Sequence, residues 1–241
     1  MNTRDARQLG DQLSAMVAGR QIEAAWDLLA PVLAGRTPFR LLDVIGEGLG
    51  DGAPGDVNRL LDAVAARQTM GGWVVIASAL RQQLSNDFSG AFERCRDYVI
   101  AADVWYATDI FGERLPGPAL ISDFEQALGW LQAWQTDPNR WIRRIVGVAV
   151  HLWAKRSRGD AQLLPQAVAL FDLLSPMFEE RQVDVIKGVG WGLKTLGKQY
   201  PDLAAEWLAQ QAARPHSRLI MRKATTYLPV ETRRRLMGEA A

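Results

Sequence analysis

Apolar residues recur three and four positions apart, in runs of roughly 12 to 18 residues separated by short polar breaks, the spacing of one buried helix face after another. Ala6 to Val17 places Leu9, Leu13, Met16 and Val17 on one face, and Gly19-Arg20 closes the run. Ile22 to Leu33 repeats it with Trp26, Leu29 and Val32, and Pro31 is expected to kink or shorten that helix. Phe39 to Leu49 carries Leu41, Leu42, Ile45 and Leu49. The glycine-rich stretch from Gly46 to Gly55 predicts a flexible connection, with Asp56 capping a helix that runs through Arg67. Trp73, Val74, Ile76, Ala77 and Leu80 define the next helix, and Phe88, Phe92, Tyr98 and Val99 another. That one leads into Asp103 to Ile110, which Gly112 and Pro116-Gly117-Pro118 are expected to stop. Beyond it come Phe124 to Trp134, broken by Asp137-Pro138-Asn139; Trp141 to Val150, ending at the polar turn Ser157-Arg158-Gly159-Asp160; and Leu163 to Leu174. Val183 to Leu196, Leu203 to Ala212, and helices near Ser217 to Thr226 and Val230 to Gly238 complete the chain. No stretch alternates with period two between turn residues, so no strand is predicted.

Successive helices with short connections and no strands predict an all-α fold in which each helical pair buries its apolar face on the next. No strict period is visible, so the expectation is one domain over residues 1–241, a HEAT-like helical-repeat superhelix (α-α solenoid) of degenerate units of ~40–47 residues. Such a stack curves and presents a concave face.

Charge gives that face a sign. The formal net charge of +1 hides an asymmetry: residues 1–139 hold 11 Lys+Arg against 18 Asp+Glu, and residues 140–241 hold 17 against 9. A basic second half can line a concave surface that meets a polyanion. Composition otherwise describes an ordinary globular protein, 48% hydrophobic and 23% charged. One cysteine, Cys95, excludes an internal disulfide framework, and with two histidines, His151 and His216, it offers no zinc cluster, so no metal and no cofactor are expected. No apolar run approaches the ~18 residues of a membrane span, and the first residues lack a signal-peptide core. The expectation is a protein of the reducing cytoplasm, neither exported nor embedded in a membrane.

The chemistry concentrates at Trp105-x-x-x-Asp109, where helical spacing sets an indole and a carboxylate on one face, an arrangement suited to a cationic guest. Asp103 is the competing carboxylate, but two residues before Trp105 it points away from that indole; Glu113, one turn past Asp109, could make a carboxylate pair. The Gly46–Gly55 stretch lacks the preceding strand and the Lys of a phosphate-binding loop. Cys95, His151 and His216 receive no chemistry. Trp130, Trp134, Trp141, Trp153 and Trp207 read as packing residues.

Three patterns occur in one order: Trp105-x-x-x-Asp109, Asn139-Arg140-Trp141-Ile142-Arg143-Arg144, and Lys187-Gly188-Val189-Gly190-Trp191-Gly192-Leu193-Lys194. Together with Pro201 and the later Arg222-Lys223-Ala224, this ordered set resembles the AlkD-type DNA alkylation-repair glycosylases, a family of HEAT-like solenoids, over roughly residues 60–230. The resemblance implies hydrolysis of the N-glycosidic bond of cationic alkylpurines, N3-alkyladenine and N7-alkylguanine and in some relatives bulky adducts, in duplex DNA and without base flipping. It implies Asp109, Trp105, Trp191 and Arg144 as the catalytic group, with Asp109 stabilising the oxocarbenium and positioning water. This chain departs from the family pattern at Lys223, where the R-E-A element has Glu, and at Ile186, where Gln is usual before the Lys.

With Arg144 set on a phosphate, further backbone contacts are expected among Arg140, Arg143, Lys155, Arg156, Arg158, Lys187, Lys194, Lys198, Arg218, Arg222 and Lys223. The partner implied is double-stranded DNA containing alkylated bases, bound by a monomer that associates with the nucleoid. The other reading is a non-catalytic helical-repeat scaffold binding DNA or protein, since fold alone fixes no activity.

Overall fold

The computed structural model describes residues 1–238, and every regular element among them is helical. The helices are α1 (Thr3–Ala18), α2 (Ile22–Ala34), α3 (Phe39–Gly50), α4 (Pro54–Ala65), α5 (Met70–Gln83), α6 (Phe88–Ala102), α7 (Trp105–Arg114) and α8 (Pro116–Ser122). They continue as α9 (Phe124–Trp134), α10 (Arg140–Ser157), α11 (Leu164–Leu174), α12 (Val183–Gln199), α13 (Pro201–Gln211), α14 (Arg218–Ala224) and α15 (Val230–Met237), with 3₁₀ turns at Ala161–Leu163 and Pro176–Glu179. The chain divides into two compact units, Met1–Leu115 and Pro116–Ala241.

Within each unit alternate helices share a layer, the arrangement of a helical repeat. In the first unit α1, α3, α5 and α7 pack side by side, and α2, α4 and α6 lie against them. In the second, α8, α10, α12 and α14 make one layer, with α9 paired to α11 and α13 to α15.

The layers are closed by glycines. The Gly46–Gly50 part of the expected flexible connection lies inside α3, because a Cβ there would strike the neighbouring backbone. It would stand 2.5 Å from the Val75 carbonyl at Gly46 and 2.5 Å from that of Ala79 at Gly50. Gly10 of α1 makes the same approach to the Ile45 carbonyl, at 2.7 Å. Each such glycine costs its helix roughly 1 kcal/mol of propensity, which close backbone packing offsets.

Other boundaries also differ from expectation. Ala53 is the N-cap of α4, with Pro54 at its first position, so Asp56 sits in the first turn, where its charge suits the helix dipole. Pro31 does not shorten α2, which continues to Ala34. Gly112 lies within α7, which ends at Arg114 just ahead of Pro116 as expected, and Pro116 also opens α8, because proline lacks only an N–H that the first turn leaves unpaired anyway.

One segment departs from the membrane expectation. Ala161–Glu179 is long and apolar enough, by composition, to cross a bilayer. It is interrupted, however: α11 supplies 11 residues between the two 3₁₀ turns, or about 16 Å of rise against the ~30 Å of a hydrocarbon core. Ala167, Leu170, Phe171, Leu173 and Leu174 of α11 are buried in the protein core.

Candidate active site

Trp105 and Asp109 belong to the first unit. α6 ends at Asp103, whose left-handed backbone (φ 44°) turns the chain, and α7 starts two residues later at Trp105. Asp103 is therefore a helix terminator outside α7. Ala107, Thr108, Ile110 and Phe111 face the core, with Phe111 tilted against Trp73 at 6.1 Å and stacked near Tyr98 at 6.3 Å. Full burial of that phenyl stabilises the helix seat by ~1.5–3 kcal/mol.

The far end of α7 is pinned as well. Arg114 Nε donates to Asp43 Oδ1 of α3 at 2.6 Å, and Ser78 Oγ of α5 donates to the same oxygen at 2.8 Å. With its core face and last turn fixed, α7 holds Trp105 and Asp109 on the remaining face. Asp109 is half-buried, Trp105 is 56% exposed, and Tyr106 meets the Trp105 indole edge-on at 5.9 Å. An indole so exposed, on a helix whose Ile110 and Phe111 are buried, is not held by core packing.

The second unit carries a cluster of cations of its own. Asn139 caps α10, its side chain accepting from the Trp141 N–H at 2.8 Å. Arg144, 6% exposed, packs its stem on Gly188 of α12 and donates from Nη1 to the Asp184 carbonyl at 2.9 Å. Lys223 of α14 lies along Gly190, where a Cβ would come within 2.6 Å of its Cδ. Burial, then Lys194, Arg144, Arg222 and Lys187, hold its ammonium below the usual lysine range. Five cations thus converge across α10, α12 and α14, a concentration of like charge that a polyanion relieves.

Other predicted contacts divide by environment. Arg140, Lys155, Arg156, Arg158, Lys187, Lys198, Arg218 and Arg222 are exposed. The Arg140 guanidinium lies 4.6 Å from the Trp141 ring centroid, and Lys194 and Lys198 both stand over Tyr227, at 5.2 and 5.4 Å. Arg143 departs from the expected phosphate contact. Its Nε donates to Glu180 at 2.9 Å and its Nη1 to the Asp137 carbonyl at 2.7 Å, with both partners of the ion pair 14% exposed. Burial pushes the Glu180 carboxyl up, but the N–H of Gln182, the Arg143 guanidinium and the N–H of Arg181 more than reverse this and hold it below its ordinary value. Arg143 is a structural cation.

Trp191 is half-buried in α12, with its flanking glycines used for helix packing: Gly192 faces the Gly147 carbonyl of α10, and Gly190 takes the Lys223 stem. The residue that sequence reasoning passed over is His151 of α10, whose ring stacks on Trp191 at 3.9 Å between centroids and 21° between planes. A signal was there: Arg144, Gly147 and His151 share one face of α10, as Gly188, Trp191, Gly192 and Thr195 share one side of α12. Trp134, Trp141, Trp153 and Trp207 are buried and Trp130 is half-buried against Trp134. Cys95 is fully buried, which pushes its thiol far up, and no metal-holding cluster of His, Cys, Asp and Glu occurs among the described residues.

Comparison with known proteins bears on this arrangement. Residues 59–228 match the profile of a family described as DNA alkylation repair enzyme. Among solved structures the fold is similar to that of the Pseudomonas fluorescens alkylpurine DNA glycosylase AlkC bound to DNA containing an abasic site analog, with a TM-score of 0.56 at 17% identity. The likeness covers 93% of this chain and 62% of that protein. No curated protein sequence matches the chain.

Proposed function

The chain belongs to the DNA alkylation repair enzyme family, and on that premise we propose that it is a DNA glycosylase that hydrolyses the N-glycosidic bond of cationic alkylpurines, without a metal or cofactor. The observation that carries the proposal is Trp105, an indole 56% exposed one helical turn ahead of Asp109. All four residues of the sequence motifs, Trp105, Asp109, Arg144 and Trp191, fall inside the matched span.

The chemistry asks for little more. Alkylation at purine N3 or N7 makes the base cationic, hence a good leaving group. The C1′–N bond breaks with its electron pair going to the base, which departs neutral and leaves positive charge on the sugar. Asp109 as carboxylate stabilises that charge and orients water, which adds at C1′ and releases a proton. Trp105 and Trp191 offer π-faces to the charged nucleotide, a contact worth about 0.5–2 kcal/mol that favours the cationic lesion over a neutral base. No acid is needed to protonate the leaving group, so the base can stay in the duplex and bulky adducts are admissible.

The test is base release from a duplex carrying one N7-methylguanine, run beside a duplex with a bulky N7-alkyl adduct. Release of either base is expected. Tight binding without release of any alkylated base would leave the chain a non-catalytic helical-repeat DNA binder.

Phosphate contacts have their own measurement. Lys187→Gln and Arg222→Gln, at exposed positions, should each flatten the dependence of log K on log salt by about one ion, whereas Arg143→Gln should lower the melting temperature and leave the slope alone. Equal slopes in all three proteins would remove Lys187 and Arg222 from the interface.

A further inference from the structure

We propose that His151 is a positioning residue for Trp191: its ring, tied to Thr195 and lying flat on one face of the indole, fixes the plane in which Trp191 meets the alkylated nucleotide. The inference rests on the glycosylase reading above and goes beyond it by assigning a residue outside the sequence motifs.

The geometry is a closed loop. Thr195 Oγ1 donates to the Trp191 main-chain carbonyl at 3.1 Å, one turn back along α12. His151 Nδ1 lies 2.7 Å from the same hydroxyl oxygen. The hydroxyl has one proton, and it is given to the carbonyl, so the imidazole supplies the other: Nδ1–H donates to Oγ1. The imidazole then covers the Trp191 indole at 3.9 Å. Backbone, hydroxyl, imidazole and indole therefore fix one another, and His151 is itself 8% exposed on the helix that carries Arg144. A half-buried indole on a glycine-flanked turn would otherwise be free to change rotamer.

An imidazole also brings an electrostatic condition. Were it charged, it would draw on the indole's π-density and repel the cationic base; uncharged, it leaves Trp191 attractive to a cation. Burial, then Lys155 on its own helix and Lys194 on α12, bring the ring's pKa down to about 4. α8, the other helix packed along α10 in its layer, has no titratable side chain. The acids of α9 and α11, Glu125 and Asp172, are not among the groups that bias the ring. The stack is thus uncharged throughout the neutral range.

The experiment measures single-turnover release of N7-methylguanine with protein in saturating excess, from pH 8 to pH 4, after subtraction of spontaneous depurination. His151→Ala should lower the rate constant by about tenfold, and His151→Phe, which keeps a flat ring, should restore most of it. The wild-type rate should hold through the neutral range; in Lys155→Gln/Lys194→Gln it should begin to fall at higher pH than in the wild type, and that difference should disappear when His151→Phe is added. A His151→Ala protein that releases base at the wild-type rate, or a pH shift from Lys155→Gln/Lys194→Gln that is as large with Phe at 151 as with His, overturns the inference alone. Wild-type protein that releases no base at any pH overturns the glycosylase reading, and this inference with it. A His151→Ala protein that fails to fold leaves the decision to His151→Phe and the pH profiles.

Discussion

Asp109→Asn is expected to slow single-turnover release of N7-methylguanine by about 10²- to 10³-fold, the usual cost of deleting one well-placed electrostatic stabiliser. Asparagine keeps the shape of the side chain and removes only the charge, so binding to undamaged duplex and the melting temperature should stay near the wild-type values. Other residues hold the seat of α7: Phe111 anchors the core face, and Arg114 with Asp43 and Ser78 anchors the last turn. Two nearby carboxylates serve as controls. Asp103→Asn should be silent, because Asp103 terminates α6 with a left-handed backbone that asparagine also accepts. Glu113→Gln should also be silent, since a cationic base needs no acid to leave. A wild-type rate in Asp109→Asn, or a large loss in Asp103→Asn, would move the chemistry off Asp109.

Periodicity sufficed wherever a helix keeps one apolar face and a polar break. α9 has the bounds expected, Phe124 to Trp134, and the Asn139 break caps α10. It failed where backbone approaches backbone, because a pattern of apolar side chains does not register a neighbour that needs no side chain at all. Gly46, Gly48 and Gly50 read as a loop for that reason, yet all three are buried inside α3. Pro116 was half legible: α7 does stop just before it, at Arg114, while the start it gives to α8 went unread, because a proline in the first turn costs nothing.

The candidate site divides along similar lines. Trp105 and Asp109 were legible because their relation is local, one turn of one helix. Arg143 was not, because its partner Glu180 is 37 residues away and nothing near Arg143 announces it. The stack of His151 on Trp191 joins residues 40 apart, and only matching the faces of α10 and α12 would have paired them. Charge by region carried more than charge by residue. The excess of cations after residue 139 does place four of them around Lys223, yet Arg143 among the same set serves the fold.

Gly147→Ala should destabilise the protein by about 2 kcal/mol or more, which for a chain of this size lowers the melting temperature by roughly 4–8 °C. A Cβ at Gly147 would stand 2.3 Å from the Gly188 carbonyl carbon and oxygen and 2.4 Å from the Val189 nitrogen, where real Cβ contacts essentially never fall below 3.0 Å. Those atoms are backbone, so no side chain can swing away, and α10 and α12 must part by on the order of 1 Å. The helix propensity gained by alanine, up to ~1 kcal/mol, works in the other direction but is smaller than overpacking at a backbone seam. Gly129→Ala isolates that propensity term: it lies exposed within α9, with nothing within 4 Å of the added methyl, and should raise the melting temperature slightly. The two alanines therefore have opposite signs. α10 carries Arg144 and His151 while α12 carries Trp191 and Thr195, so opening the seam also loosens the His151 stack. Release of alkylated base by Gly147→Ala should accordingly fall even well below its melting temperature; melting and activity both at wild-type values would show that the seam yields at no cost and that α10 and α12 are not the fixed frame of the second unit's site.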